Sequence, residues 1–318
     1  MPYSTIWKQL LVCCAIAVTT CASAQTGHTI VTVEQKAGNS DAVLRENILA
    51  FEAGKRVPIT VWQPFTGDRD SLQLLILIDD SSASGLANQL ADIRTFVMAL
   101  PKTAEVGIGY MQNGRAEMAQ NFTADHALAA RALRLPQSIR GGGSPYFTLS
   151  AVAQQWPAAQ QRPSEKTAGR REILMISDGV DRYSDLEFNP ENPYVTKAIH
   201  DAQRAAIPVF TIYYRGAGRL DANPVVTSAG QNYLVQMSQE TGGKSLYPGM
   251  GNPVSLTPML TELSKILNNQ YELEFKSRAK PMNGLVQLKL KMETHGIKLI
   301  APTFVPVDEP ANPERLPR

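Results

Sequence analysis

The stretch LILIDDSSAS at residues 75–84 joins an aliphatic run to a cluster of carboxylates and hydroxyls. A second stretch, ILMISDG at residues 173–179, repeats that transition later in the chain. A short apolar run bounded by polar turn residues is typical of a buried strand. Each strand would deliver oxygen ligands to one edge of a sheet, and oxygen ligands without His or Cys indicate a hard cation such as Mg²⁺.

Around these stretches, residues 71–268 alternate strand patterns with helix patterns. Apolar residues recur at helical spacing from Leu86 to Leu100, with Ser84 as a cap, and Asn113-Gly114 predicts a β hairpin. Further patterns predict a strand at 208–214 and helices at about 123–133, 147–156, 192–206, 231–240 and 256–267. Such alternation predicts an α/β fold, with an open, doubly wound, mostly parallel sheet and helices on both faces.

The flanks of this region, residues 25–70 and 269–306, have a period of two instead. Tyr271, Leu273 and Phe275 alternate with charged neighbours, and Ala53-Gly54 separates strand-like runs at 47–51 and 57–62. Alternation of this kind is typical of half-exposed antiparallel strands. We therefore predict a small antiparallel β module built from both flanks, followed by a Pro-rich tail at residues 307–318.

The first 24 residues have the features of a secretory signal peptide. Lys8 precedes an apolar stretch that is too short for a lasting transmembrane helix, and Ala22-Ser23-Ala24 offers a cleavage site. All three cysteines lie in this segment, so the mature chain has none. We predict an exported protein, periplasmic or extracellular. Lipid attachment at Cys21 is the alternative, although Thr19 and Thr20 precede that cysteine where a lipoprotein signal usually has a small residue.

The charge balance of the mature chain narrows the class of partner. Without residues 1–24, 30 basic residues face 29 acidic ones. This balance argues against nucleic-acid binding and against binding to anionic membranes. The four histidines lack the spacing of zinc ligands; they are His28, His126, His200 and His295.

Three loops bring the candidate ligands together in the predicted fold. Asp80-x-Ser82-x-Ser84 follows the first strand, Ser144 ends a Gly-rich stretch before a helix, and Asp178 ends the second strand. In order and spacing, this pattern resembles the metal-ion-dependent adhesion site of the von Willebrand factor A (VWA) domain family. The resemblance covers about residues 72–267, and the signal peptide with the flanking strands resembles the secreted bacterial branch of that family.

The resemblance implies that Asp80, Ser82, Ser84 and Ser144 are metal ligands and that Asp178 acts directly or through water. It also implies Mg²⁺, or Mn²⁺ or Ca²⁺ in its place, and a protein partner whose carboxylate completes the shell of the ion. The chain departs from the family pattern at Ala83, where Gly is common, and at Ser144-Pro145, where Thr is usual. An alternative register, Asp79-x-Ser81-x-Ala83, lacks its second hydroxyl.

The favoured prediction is a non-enzymatic adhesion or scaffold protein, and two alternatives stay open. The first is a VWA-like interaction module without a bound ion. The second is an exported serine hydrolase, because Ser144, Asp178 and His295 follow a known order of catalytic residues. However, Tyr146 replaces the closing Gly of the nucleophile motif, and no strand is predicted before Ser144. Taken singly, these segments also fit ordinary turns and helix caps.

Overall fold

The computed structural model describes residues 25–36, 42–82, 84–137, 143–156, 169–183, 192–216, 223–247 and 251–308, apart from the side chains of Asp68 and Ser84. The predicted signal peptide and the end of the predicted tail therefore lie outside the described residues. Within them, the chain forms a six-stranded sheet with helices and an eight-stranded antiparallel sheet. No helix in this described part is long and apolar enough to cross a membrane.

The six-stranded sheet contains the two stretches that the sequence singled out. Its strands are β5 (Leu72–Asp79), β6 (Ala104–Gln112), β7 (Arg115–Thr123), β8 (Arg170–Ser177), β9 (Val209–Tyr213) and β10 (Ser245–Tyr247). Their order is β10-β9-β8-β5-β6-β7, and every neighbouring pair is parallel except β6 and β7. The prediction of a mostly parallel sheet is confirmed, whereas the three-residue strand β10 was not predicted.

Helices cover both faces of this sheet. They are α1 (Leu90–Ala99), α2 (His126–Arg131), α3 (Pro145–Gln154), α4 (Pro193–Arg204), α5 (Pro224–Glu240) and α6 (Thr257–Leu267). Side chains of β5 alternate between the two faces, as in any strand. Leu74, Ile76 and Ile78 pack against α1, α2 and α6. Leu75 and Leu77 pack against α3, α4 and α5.

Local signals explain most helix starts, with three corrections. Asn192, at the start of the helix predicted over 192–206, caps α4. Asn223 caps α5, which begins two turns earlier than its apolar pattern predicted. Asp125 caps α2 by accepting a hydrogen bond from the Leu128 amide at 2.9 Å, so this helix begins at His126 and not at about residue 123. The segment after β5 first forms a 3-10 helix over Ser84–Gln89, and only then α1.

The eight-stranded sheet is built from both flanks of the chain, as the period of two predicted. It contains β1 (Gln25–Gln35), β2 (Ile48–Glu52), β3 (Lys55–Val57), β4 (Ile59–Pro64), β11 (Gln270–Ser277), β12 (Leu285–Met292), β13 (Ile297–Ile300) and β14 (Phe304–Asp308). Strand β1 pairs with β11, β13 and β14. The first two residues of the predicted tail, 307 and 308, therefore belong to β14.

One predicted strand of this module is divided in two. The run at 57–62 contains Pro58, which has no amide hydrogen to donate to a ladder. Accordingly, β3 pairs with β2 across the Ala53-Gly54 turn, whereas β4 leaves that pair and joins β11. Both turn residues have positive φ, 46° at Ala53 and 78° at Gly54, as a two-residue hairpin turn requires.

Candidate functional site

The predicted ligands gather at the carboxyl ends of β5 and β8, where open α/β sheets bind ligands. The topological switch point of the sheet is at strand β5, because β6 lies on one side of it and β8 on the other. We call this edge the rim, and it comprises Asp79 to Ser82, Arg134 and Leu135, Gly143 and Ser144, and Asp178 to Tyr183.

Asp79 connects the two strand ends. Its Oδ1 accepts hydrogen bonds from the Ser81 amide at 2.9 Å and from Ser81 Oγ at 2.6 Å. Its Oδ2 accepts a bond of 2.8 Å from Ser177 Oγ on β8. Ser177 Oγ in turn accepts a bond from the Gly179 amide at 3.0 Å. The alternative register, Asp79 with Ser81, is thus the one that lies between the two acidic segments.

Asp80 has different partners. Its Oδ1 accepts hydrogen bonds from Arg134 Nη1 at 2.8 Å and from the Gln137 amide at 2.9 Å. Its Oδ2 accepts from Arg134 Nη2 at 3.1 Å and from the side-chain amide of Gln112. Both oxygens of this buried carboxylate are therefore already used. The structure does not bring Asp80, the preferred first ligand, together with Asp178.

The divergence of Asp79 and Asp80 follows from strand geometry. Neighbouring residues of a strand point to opposite faces, so Asp79 continues the side that Leu75 and Leu77 occupy. Asp80 falls on the opposite side, where Arg134 follows α2. The carboxylates are adjacent in sequence, yet they belong to different hydrogen-bond networks. This alternation was available in the sequence, and it is the signal that could have selected the register.

Asp178 is paired with an arginine that sequence reasoning did not single out. Arg182 Nη2 lies 2.5 Å from Asp178 Oδ2, and Arg182 Nη1 lies 3.1 Å from Asp178 Oδ1. The same Nη1 donates to Ser81 Oγ at 3.2 Å. The Asp178 carboxylate is buried, and the Arg182 side chain is 13% exposed. One guanidinium group therefore joins the ends of β8 and β5.

The remaining predicted ligands play separate roles in the described structure. Ser144 Oγ caps α3 by accepting a hydrogen bond from the Phe147 amide at 3.3 Å. Ser82 Oγ is buried, and no partner for it occurs among the described residues. The side chain of Ser84 lies outside the described structure. Gly143 lies between the two strand ends, because its carbonyl accepts a hydrogen bond from the Arg182 amide at 2.9 Å. It also lies close to Asp79, since a Cβ at this position would be 2.9 Å from Asp79 Oδ1.

These side chains do not fit a Mg²⁺ site in this arrangement. Mg²⁺ requires an octahedral shell of oxygens at about 2.0–2.1 Å, and the oxygens of Asp178 and Asp80 instead accept bonds from guanidinium groups. In the Asp79 register, Ala83 supplies no hydroxyl. Nowhere in the described part of the chain do three His, Cys, Asp or Glu side chains converge as a metal-binding group.

A buried tyrosine lies beneath each acidic strand end. Tyr146 donates to the Gly179 carbonyl, and its pKa is raised well above the usual value by burial and then by the nearby charges of Asp178 and Asp181. Tyr110 donates to the Arg134 carbonyl at 2.7 Å. Burial raises the pKa of Tyr110, although the hydrogen bond that its oxygen accepts from the Arg134 amide and the Arg134 charge oppose the effect. Both phenols are therefore neutral hydrogen-bond donors at physiological pH.

The solvent side of the rim carries apolar groups. Tyr183 is 52% exposed and Leu135 is 53% exposed. The Tyr183 ring packs edge-on against Phe147, with centroids 5.1 Å apart, and Phe147 also contacts Tyr194 at 4.4 Å. Residues 184–191, which follow Tyr183, lie outside the described residues. The rim thus presents aromatic and aliphatic surface above a buried, charged hydrogen-bond network.

The chain has structural neighbours among known proteins, and each of them is distant in sequence. No protein-family model matches this sequence, and no curated protein matches it either. Solved structures that are similar include an aerotolerance-related membrane protein from Bacteroides fragilis, at 14% identity and a TM-score of 0.45, covering 62% of this chain and 99% of that one. A von Willebrand factor type A protein from Catenulispora acidiphila has 12% identity and a TM-score of 0.35, covering 88% and 72%.

A third similar structure is proximal thread matrix protein 1 from the mussel byssus, with a zinc-occupied MIDAS motif. It has 11% identity and a TM-score of 0.40, and the match covers 62% of this chain and 47% of that one. At such identities a likeness concerns the fold and not the occupancy of a site. The hydrogen bonds of this chain's own rim therefore decide how its site is interpreted.

Proposed function

We propose that this chain is an exported, non-enzymatic protein-interaction module that binds a partner protein at the rim. The observation that carries the proposal is the exposed Tyr183 ring, which packs on Phe147 directly beside the buried pair of Asp178 and Arg182. Binding energy at protein interfaces is concentrated in aromatic and arginine side chains set in well-packed surroundings. Export rests on the signal-peptide pattern of residues 1–24.

The mode of binding that we propose does not use an ion. The sequence hypothesis is a Mg²⁺ ion that bridges the rim to a carboxylate of the partner. The metal-free alternative is favoured because Arg182 already neutralises Asp178, and Arg134 already neutralises Asp80. A partner would then contact the apolar surface of Tyr183 and Leu135 together with the exposed third of the Arg134 side chain.

A capture experiment tests the proposal. Wild-type protein is used as bait for native envelope extract, in parallel with Tyr183→Ser and with Met282→Ser as a matched control. Met282 is 70% exposed and lies beyond β11 in the other sheet, so its substitution removes a similar apolar group away from the rim. We expect one partner that wild type and Met282→Ser retain equally and that Tyr183→Ser loses.

A chelator arm separates the two modes of binding. We expect the same capture with and without EDTA, whereas loss of the partner in EDTA would restore the Mg²⁺ hypothesis. If wild type and Tyr183→Ser captured the same proteins in equal amounts, the rim would not be the binding surface. Calorimetry of wild type and Asp178→Ala with Mg²⁺ provides the direct check, and we expect no difference in heat between them.

The serine hydrolase hypothesis has little support from the geometry. Ser144 Oγ is buried at the start of α3, and within the described part of residues 132–144 no strand precedes it. The sharp strand-to-helix turn of a nucleophile elbow is therefore not seen there. His295 lies between β12 and β13, in the other sheet. We expect wild type to show no hydrolysis of generic esters, so that Ser144→Ala has no such activity to abolish.

A further inference from the structure

Arg182 contacts all three loops that form the rim. Its guanidinium contacts both oxygens of Asp178, which follows β8, and the hydroxyl of Ser81, which follows β5. Its backbone amide donates to the carbonyl of Gly143, in the third loop. One residue thus touches all three loops from which the sequence pattern draws its metal ligands.

The atoms that Arg182 contacts are oxygens that a cation would use. Ser81 Oγ links the guanidinium to Asp79, since it also donates to Asp79 Oδ1 at 2.6 Å. An arginine side chain carries a permanent positive charge and only hydrogen-bond donors. It can therefore satisfy carboxylate and hydroxyl oxygens as a cation does, but it has no open coordination position to offer a partner.

Arg134 provides an internal comparison. It also pairs with a buried aspartate of the rim, but it contacts Asp80 on the opposite side of β5 and stacks over the Tyr110 ring at 3.7 Å. Asp80 has two further donors, Gln112 and the Gln137 amide. Removing Arg134 would thus leave Asp80 with these two donors. Removing Arg182 would leave Asp178 with the Val180 amide, which donates to Asp178 Oδ1 at 2.9 Å, and would uncover Ser81 Oγ, which Asp79 also contacts.

We propose that Arg182 is a tethered cation that takes the place of a divalent metal ion in this rim. Its charge joins the three loops, so the folded wild-type protein has no requirement for metal. The oxygens of Asp178, Ser81 and Asp79 constitute a latent site for a hard divalent cation, which becomes available when the guanidinium is removed. This inference concerns the rim itself and does not depend on the identity of the partner.

The test is a gain of metal binding. Mn²⁺ is titrated by calorimetry and by electron paramagnetic resonance into wild type, Arg182→Ala and Arg134→Ala, each shown by circular dichroism to be folded. We expect Arg182→Ala to bind one Mn²⁺ at least about tenfold more tightly than wild type or Arg134→Ala does. The melting temperature of Arg182→Ala should also rise when Mn²⁺ is added, because the ion binds the folded state. The double variant Arg182→Ala/Asp178→Asn should lose this binding.

Several outcomes would overturn the inference. One is wild type that binds one Mn²⁺ as tightly as Arg182→Ala, and another is a folded Arg182→Ala that binds none. If Arg182→Ala and Arg134→Ala gained the same affinity for Mn²⁺, the loss of any positive charge at the rim would explain the effect. If Arg182→Ala folds only in the presence of Mn²⁺ the inference is supported, and if Mn²⁺ does not restore folding it fails. A result of this kind leaves the partner-capture experiment unaffected, because Tyr183 is tested there.

Discussion

The two acidic strand ends of the rim look alike in sequence but are held in different ways. At the end of β8, Asp178 pairs with Arg182, four residues further along the chain, in a single loop. At the end of β5, Asp80 pairs with Arg134, which arrives from beyond α2 and lies over Tyr110. The first pair is local and the second joins distant parts of the chain. We therefore call the β5 end, whose ion pair links distant segments of the chain, the structural half of the rim. The ion pair at the β8 end lies within one loop.

The largest effect that separates the two ends is expected at Gly179. Its φ is +73°, and a Cβ there would lie 2.2 Å from the Gly230 carbonyl oxygen on α5. Gly179→Ala should reduce the free energy of unfolding by about 4 kcal/mol, combining overpacking with left-handed strain. Gly54→Ala is the matched control, because Gly54 has φ +78° with nothing within 4 Å, and about 1 kcal/mol is expected. Equal urea midpoints for the two variants would refute the packing argument.

The second prediction compares the arginines. Arg134→Ala leaves the buried Asp80 carboxylate without its charged partner and uncovers Tyr110, so we expect a loss of about 3 kcal/mol in the free energy of unfolding. Arg182→Ala removes a partner that comes from the same loop as Asp178, and Asp178 keeps the Val180 amide as a donor, so the loss should be smaller, about 2 kcal/mol. Urea denaturation in the presence of EDTA measures both. A larger loss for Arg182→Ala than for Arg134→Ala would reverse our assignment of the structural half.

A smaller effect is expected at Ser177, which links the two ends through Asp79. Ser177→Ala removes the donor to Asp79 Oδ2 and the acceptor of the Gly179 amide, which should cost about 1–2 kcal/mol. Ser150→Ala is a suitable control, because Ser150 donates to Asp201, whose carboxylate also pairs with Lys197 and Arg204. If Ser177→Ala were no more destabilising than Ser150→Ala, the link between the strand ends would be energetically unimportant.

The smallest effect near neutral pH concerns the two buried tyrosines, and it grows in alkali. Since the pKa of each phenol is higher in the folded protein than its ordinary value of 10.0, the unfolded chain loses these protons first. The contribution of each phenol to stability is complete below pH 10 and is lost as pH rises from there through the raised pKa. Tyr146→Phe should therefore flatten the alkaline fall in stability more than Tyr110→Phe does. Urea denaturation of both variants between pH 8 and about pH 11 provides the measurement. Parallel curves of stability against pH for the two variants would contradict this prediction.

Much of the fold followed from local patterns. The apolar runs before Asp79 and Ser177 form adjacent parallel strands, Asn113-Gly114 turns a hairpin, and the alternating flanks pair with each other. These features depend on the period of the apolar residues and on turn chemistry, both of which act over a few residues. The short strand β10 was missed because its three residues carry too little pattern.

The candidate site was predictable in place but not in detail. Asp178 and Asp80 do lie at the carboxyl edge of the sheet, yet the sequence pattern assigned them to one ion. In the structure two arginines pair with these carboxylates, and nothing in the spacing of Arg134 indicated that it would reach Asp80. Arg182 could have been noticed, because an arginine four residues after a strand-end aspartate is close enough to pair with it.

By itself, the sequence determined the sheet, its acidic edge and the antiparallel module, because apolar periodicity and turn residues act locally. Only the tertiary structure decided that Asp79 and Asp80 point to opposite faces of β5, and which donor each carboxylate receives. A buried carboxylate takes whatever cation the fold brings within hydrogen-bonding distance. Here the fold brings guanidinium groups, which is why a sequence pattern typical of a metal site forms a network of ion pairs.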